Sequence, residues 1–174
     1  AESGLGTIKN LGMRSLEKYL NIDFQDEYKK MWKELRNFAR ESKLTKNKLK
    51  LMILKNKKLL NFATDNGKKY QIKLNQLCLK VFNNLSRKNK VEFLNFILDA
   101  HDENLYVVIA NSRGVITYKP KEKEVKLVSS IEARESSGVG YTIYIDKVPT
   151  YRIQTNATNG IGISPFCQRV FFAD

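Results

Sequence analysis

An α+β domain is the fold class this sequence predicts: a helical N-terminal half packed on a C-terminal antiparallel β meander of five to seven strands. Two observations lead there. Up to about residue 103, apolar residues recur at steps of three and four, the period of a helix with one buried face. From Asn104 the texture changes to short alternating runs rich in Val, Ile, Tyr and Thr, separated by Asn, Gly, Ser and Pro, as in strands joined by turns. No internal repeat and no long linker divides the 174 residues, so residues 13–174 read as one domain. Its first part, 13–103, is mainly helical and basic, and its second, 104–174, is antiparallel β.

Residues 1–12 are small, Gly-rich and polar and read as a flexible arm. Helical signals begin at Ser15. Asp23 is a candidate N-cap for a helix over 24–42, where Phe24, Tyr28, Met31, Leu35 and Phe38 form an apolar stripe with Trp32 and Ala39 beside it. Thr45 can cap a second helix over 45–60, with Leu49, Met52, Ile53, Leu59 and Leu60 inward and its lysines outward. Leu51 and Leu54 fall among those lysines, so part of the basic face is expected to be covered. Thr64-Asp65-Asn66-Gly67 reads as a turn. Over 69–74, Tyr70, Ile72 and Leu74 alternate with Lys69, Gln71 and Lys73, as in a half-buried strand, and a short helix over 76–85 follows. Ser86 is the next N-cap, opening a helix through Val91, Leu94, Ile97 and Leu98 that ends near His101.

In the second half, 105–110 and 115–118 form a hairpin about Asn111-Ser112-Arg113-Gly114. A charged loop over 120–124 leads to a strand over 125–133 and a turn over 135–138. Residues 141–145 and 150–155 alternate strictly and are joined around Asp146-Lys147-Val148-Pro149. Residues 161–172 supply the last one or two strands, interrupted near Pro165.

The charge is local. Between Lys43 and Lys90 there are 14 cations against the single anion Asp65, an excess of 13 that equals the excess of the whole chain, 31 over 18. Codon drift toward lysine would spread the lysines rather than gather them, so a polyanion is the expected partner, nucleic acid ahead of membrane. Lys46, Lys50, Lys55, Lys57, Lys58, Lys68, Lys69 and Arg87 are the candidate phosphate contacts. No apolar run is long enough to span a bilayer and no secretory h-region opens the chain, so a soluble, cytoplasmic protein without a membrane partner is expected. Cys78 and Cys167 stand in apolar settings without zinc spacing and read as buried free thiols.

Arginine is scarce in this lysine-rich chain, and four of its eight residues are spread over the β half, at Arg113, Arg134, Arg152 and Arg169. Its planar fork reads base edges or clamps phosphate in two-point fashion. With Ser136, Ser137 and Tyr141 near Arg134, and Gln154 near Arg152, these side chains are candidate base contacts. Salt bridges to Glu132, Glu135 and Asp146 are an equal alternative.

For catalysis, the relevant pattern is paired carboxylates with a lysine, which hold magnesium and orient an attacking water. Asp65, Gln71 and Lys73 make one candidate set and Glu124 with Lys126 another, with Asp65 and Glu124 as the metal ligands. In Asp65 to Lys73 the turn, aromatic and lysine fall as in restriction-type nucleases, and the stretch resembles the PD-(D/E)xK family, with Gln71 where the second carboxylate belongs. The succession Leu105 to Tyr118, followed by Thr150-Tyr151-Arg152-Ile153, looks like the C-terminal part of some type II restriction endonucleases, where a β region helps recognise the duplex. The resemblance implies a sequence-specific, Mg2+-dependent endonuclease or its DNA-recognition part, with duplex DNA as partner and a homodimer open as the assembly. The alternative is a non-enzymatic RNA- or protein-binding module.

Overall fold

The longest apolar stripe of the chain makes its central element. Leu59, Ala63, Gly67, Tyr70, Leu74, Cys78 and Phe82 recur every three or four residues and are buried along one helix, α4 (Lys57–Asn84). The computed structural model describes residues 7–98, 107–111, 114–118, 130–157 and 166–173. Before α4 come α1 (Met13–Leu20), α2 (Gln25–Ala39) and α3 (Lys46–Lys55), and after it α5 (Arg87–Leu98).

Helix α4 corrects the reading of residues 64–85 as turn, strand and short helix. The alternation of Tyr70, Ile72 and Leu74 samples a helical stripe at every second position, and Tyr70 and Leu74 lie on its buried side. Asn66 and Gly67 form turns in isolation, yet both are buried in this helix, and the Asn66 amide donates to the Met31 carbonyl of α2 at 3.5 Å. Packing against α2 outweighs the cost of a glycine in a helix, about 1 kcal/mol.

The expected caps at Thr45 and Ser86 are present: Thr45 Oγ1 accepts from the Lys48 N–H and Ser86 Oγ from the Asn89 N–H. The helix after Thr45 is shorter than expected, because Asn56 leaves the helical conformation and its side chain caps α4 by accepting from the Leu59 N–H. Asp23 accepts from the Gln25 N–H at 2.9 Å one position ahead of the α2 cap, Phe24.

Five strands form one antiparallel sheet in the order β1-β7-β6-β5-β4: β1 (Lys9–Gly12), β4 (Ile131–Ser137), β5 (Gly140–Ile145), β6 (Val148–Ala157) and β7 (Phe166–Phe172). A separate hairpin joins β2 (Val107–Asn111) to β3 (Gly114–Tyr118), as the two apolar runs about Asn111 to Gly114 predict. Asp146 and Lys147 both take positive φ, 49° and 67°, which suits the two-residue turn between β5 and β6. The flexible arm expected over 1–12 is corrected for its last four residues. They pair with β7, Lys9 opposite Val170 and Gly12 opposite Cys167, so the chain's first described element closes the sheet's far edge.

Helices pack on one face of this sheet. Leu74, Cys78 and Phe82 of α4 meet a core that includes Tyr141 and Ile143 of β5, Tyr151 and Ile153 of β6, and Val170 of β7. A buried polar chain crosses the same layer. Asn75 donates to the Gly140 carbonyl at 3.3 Å, Thr155 Oγ1 donates to Asn75 at 3.4 Å, and Gln168 donates to Thr155 Oγ1 at 3.1 Å. Its far end is the Tyr141 hydroxyl, which donates to Gln168 at 3.3 Å. Among the described residues no helix is long and apolar enough to cross a membrane.

Candidate nucleic-acid interface

Strand alternation puts every second residue of the sheet on the face turned away from the helices. Burial follows that alternation: Tyr151, Ile153 and Thr155 are buried on β6, while Arg152, Gln154 and Asn156 are partly exposed. The register then assembles two rows across the open face. Arg134 pairs with Thr142, Thr142 with Arg152, and Arg152 with Phe171. Gly140 pairs with Gln154, Gln154 with Arg169, and Arg169 with Asn10. Arg134, Arg152, Gln154 and Arg169, candidates drawn from three separate strands, thus share one surface.

Two of the arginines are carried by aromatic rings. The Arg134 guanidinium lies 4.6 Å from the centroid of Tyr144, and that of Arg152 lies 4.9 Å from the centroid of Phe171. A ring beside the guanidinium attracts it electrostatically and holds the cation at the sheet surface. Arg134 also pairs with Glu132, one of the salt bridges the sequence allowed. Tyr144 and Phe171 were not among the sequence candidates, although the alternation of 141–145 already sets Tyr144 opposite in sense to Tyr141 and Ile143.

Beside Arg152 the face is indented. A hollow of about 240 Å³ is lined by Ser136, Ser137, Gly140, Arg152 and Gln154. An irregularity in the β4–β5 pairing between Glu135 and Ser137 turns the two hydroxyls toward it. The glycine at position 140 keeps the hollow open, since a Cβ there would crowd it, 2.9 Å from Ser137 Oγ, 3.2 Å from Ser136 Oγ and 3.3 Å from the Ile153 carbonyl oxygen. Two hydroxyls, a guanidinium and a carboxamide therefore converge on one polar recess. Tyr141 does not belong to it: its ring is in the core, and its hydroxyl, held by Gln168, does not reach the open face, which corrects its assignment as a base contact. Arg113 lies outside the described residues.

The lysines belong to the other layer. Lys46, Lys55, Lys57, Lys58 and Lys68 are exposed on α3 and α4, Arg87 is exposed at the start of α5, and Lys50 is half-buried. Helix α3 packs on α4, and α4 on the inner face of the sheet, so these cations do not share a face with the arginines. Lys69 is engaged with Glu34 at 3.2 Å and Lys73 with Glu27 at 3.3 Å. Hydrogen bonds from Lys30 and Lys73 hold the Glu27 carboxyl below the usual range. Burial raises that of Glu34, but hydrogen bonds from the Tyr70 hydroxyl and Lys69 outweigh it and the net shift is downward. Leu51 and Leu54 are not covered as expected: they are 60% and 58% exposed among the α3 lysines.

The proposed catalytic set is dispersed. Asp65, Gln71 and Lys73 lie on one helix rather than on a turn and strand, with Asp65 and Lys73 about 12 Å apart along the axis at 1.5 Å per residue. The Gln71 amide donates to the Thr155 carbonyl at 2.9 Å, tying α4 to β6, and Lys73 is committed to Glu27. These three side chains do not fit a magnesium ion. Glu124 and Lys126 lie outside the described residues, as does His101. Among the described residues no three His, Cys, Asp or Glu side chains converge as a metal site would need.

Comparison of the chain with protein-family models, curated proteins and solved structures returns no match.

Proposed function

We propose that this protein binds nucleic acid through the open face of its five-stranded sheet, and that the bound segment is single-stranded. The observation that carries the reading is the convergence of Arg134, Arg152 and Arg169 with Gln154 on a face that also holds Tyr144 and Phe171. Guanidinium planes and aromatic rings accept unpaired bases by stacking, and the amide, hydroxyls and guanidinium edges can bond to the base edges so exposed. Width favours a single strand over a duplex. Five strands at about 4.8 Å span roughly 20 Å, too broad for a major groove about 12 Å wide, whereas a single strand can lie across them.

A second reading is favoured by the helical layer, where exposed Lys46, Lys48, Lys55, Lys57 and Lys58 take part in no ion pair among the described residues. Such a surface suits sequence-independent contact with duplex phosphates. The deciding experiment is a titration against single-stranded DNA, single-stranded RNA and random duplex DNA at two salt concentrations, using the parent chain, Arg152→Ala and the Lys55→Glu, Lys57→Glu pair. Preference for single strands, lost in Arg152→Ala and kept in the lysine pair, is the expected result. Duplex preference lost only in the lysine pair would replace the sheet by the helices as the binding surface, and no binding to any of the three would end both readings. Running the incubated duplex with Mg2+ on a denaturing gel tests cleavage in the same series.

A further inference from the structure

Three helices begin at one cleft. Met13, Gln25 and Lys46 are the first residues of α1, α2 and α3, and all three line a cavity of about 450 Å³, a size within the range of small-ligand sites. Tyr28, partly exposed and backed by the buried Phe24, forms an aromatic wall, and Arg14 and Lys46 supply two cations. The Lys46 ammonium lies 5.4 Å from the Tyr28 ring centroid and 5.3 Å from that of Trp32, so the cation stands at the wall rather than away in solvent.

The acidic side chains nearby are already engaged. Asp23 accepts from the Gln25 N–H and Glu17 from the Gln25 amide, Asp26 pairs with Lys29, and Glu27 pairs with Lys30 and Lys73. Neither Arg14 nor Lys46 takes part in any ion pair among the described residues. The starts of α1 and α3, with no acidic residue in their first turns, add partial positive charge to these two cations, whereas that of α2 is already answered by Asp23, Asp26 and Glu27. Two cations outside any such ion pair, one of them held over an aromatic ring, suit a ligand that is both anionic and planar.

We propose that this cleft binds a phosphate attached to a nucleobase, with the phosphate held by Arg14 and Lys46 and the base against the partly exposed Tyr28. That chemistry has two sources, a free nucleoside monophosphate and the phosphorylated 5′ end of a strand. The site is separate from the sheet face and does not depend on the function read there.

Trp32 is the chain's single tryptophan, and its place beneath Lys46 makes its fluorescence a direct reporter of occupancy. The test follows that signal, checked by calorimetry, on titrating the full chain with adenosine monophosphate, adenosine, inorganic phosphate, and one short oligonucleotide with either a 5′-phosphate or a 5′-hydroxyl. Saturable binding of the monophosphate is expected, weakened about tenfold or more for adenosine and for Arg14→Ala or Lys46→Ala, as for loss of a charge-assisted bond. Arg14→Lys should keep most of the affinity, Arg152→Ala should leave it unchanged, and circular dichroism checks that each variant is folded. Tighter binding of the 5′-phosphorylated strand than of its 5′-hydroxyl form, by a margin lost in Arg14→Ala, would assign the cleft to strand ends; equal binding of the two strands, with monophosphate binding kept, would assign it to free nucleotide. Equal binding of adenosine and its monophosphate, indifference to both cation substitutions in folded protein, dependence on Arg152, or no binding at all would each overturn the proposal.

Discussion

Asn83 and Ala133 exchange two hydrogen bonds: the Asn83 amide donates to the Ala133 carbonyl at 2.8 Å and accepts from the Ala133 N–H at 2.8 Å. The last turn of α4 thereby treats the outer edge of β4 as a neighbouring strand would, and the Lys90 ammonium takes the Ile131 carbonyl of the same edge at 3.0 Å. An edge strand left open is a template for pairing with another chain. Replacing Asn83 by Ala removes both bonds and should cost about 1–3 kcal/mol. Urea unfolding measures the loss, and light scattering should show concentration-dependent association that Asn83→Asp, which keeps the acceptor, shows less.

Gln71 couples the same helix to β6 through the Thr155 carbonyl. Gln71→Glu replaces the donor with a carboxylate facing a carbonyl oxygen, so it should destabilise the fold by about 1–3 kcal/mol at neutral pH. Under the nuclease reading the same change would restore the missing carboxylate and create Mg2+-dependent cleavage. A thermal melt and a cleavage assay on this one variant separate the two outcomes, with loss of stability and no cleavage expected.

Gly140→Ala should empty the polar recess of its function. The added methyl meets two serine hydroxyls and the Ile153 backbone carbonyl, and the last cannot rotate away. Strain of about 1–3 kcal/mol is expected in a melt. Oligonucleotide affinity, measured on the protein that remains folded, should fall along with it, while Ser137→Ala should lower affinity with little change in stability.

Acid should loosen the α2–α4 contact. Glu27 and Glu34 both titrate below the ordinary value of 4.5 in the folded chain, so the unfolded chain binds more protons as pH falls toward and below that value. The stability they contribute is complete above about pH 4.5 and is lost as pH falls through their folded values. Urea midpoints at pH 7 and pH 3 should therefore differ less in Lys69→Met, Lys73→Met protein than in the parent chain. An unchanged difference would remove these pairs from the acid response.

The two thiols should differ in reactivity. Burial pushes Cys78 up to about 12, and its side chain has no exposure. Cys167 is half-buried on the open face, where burial raises its thiol and the Arg169 charge opposes that rise. A thiol reagent should modify Cys167 in native protein and Cys78 only on unfolding. Bound oligonucleotide should slow the Cys167 reaction, which places Arg169's neighbourhood in the contact; equal rates with and without it would exclude that strand from the interface.

Much was legible in short stretches of sequence. Thr45 and Ser86 announce their helices because a cap needs only a hydroxyl and a backbone N–H within the next few residues. Alternation along β5 and β6 sets Arg152 and Gln154 against Tyr151 and Ile153 for the same local reason, and the α+β division follows from where one period gives way to the other. Tertiary structure decided what depends on partners distant in the chain. Residues 9–12 carry no strand signal of their own and become a strand because β7 offers them hydrogen bonds. Asn66, Gly67 and the alternation after them favour a turn and strand locally, and α2 overrides both by burying one continuous helical face. The gathering of Arg134, Arg152 and Arg169 also waits on register, since a period of two fixes which face a residue takes within its strand but not which residue stands beside it in the next.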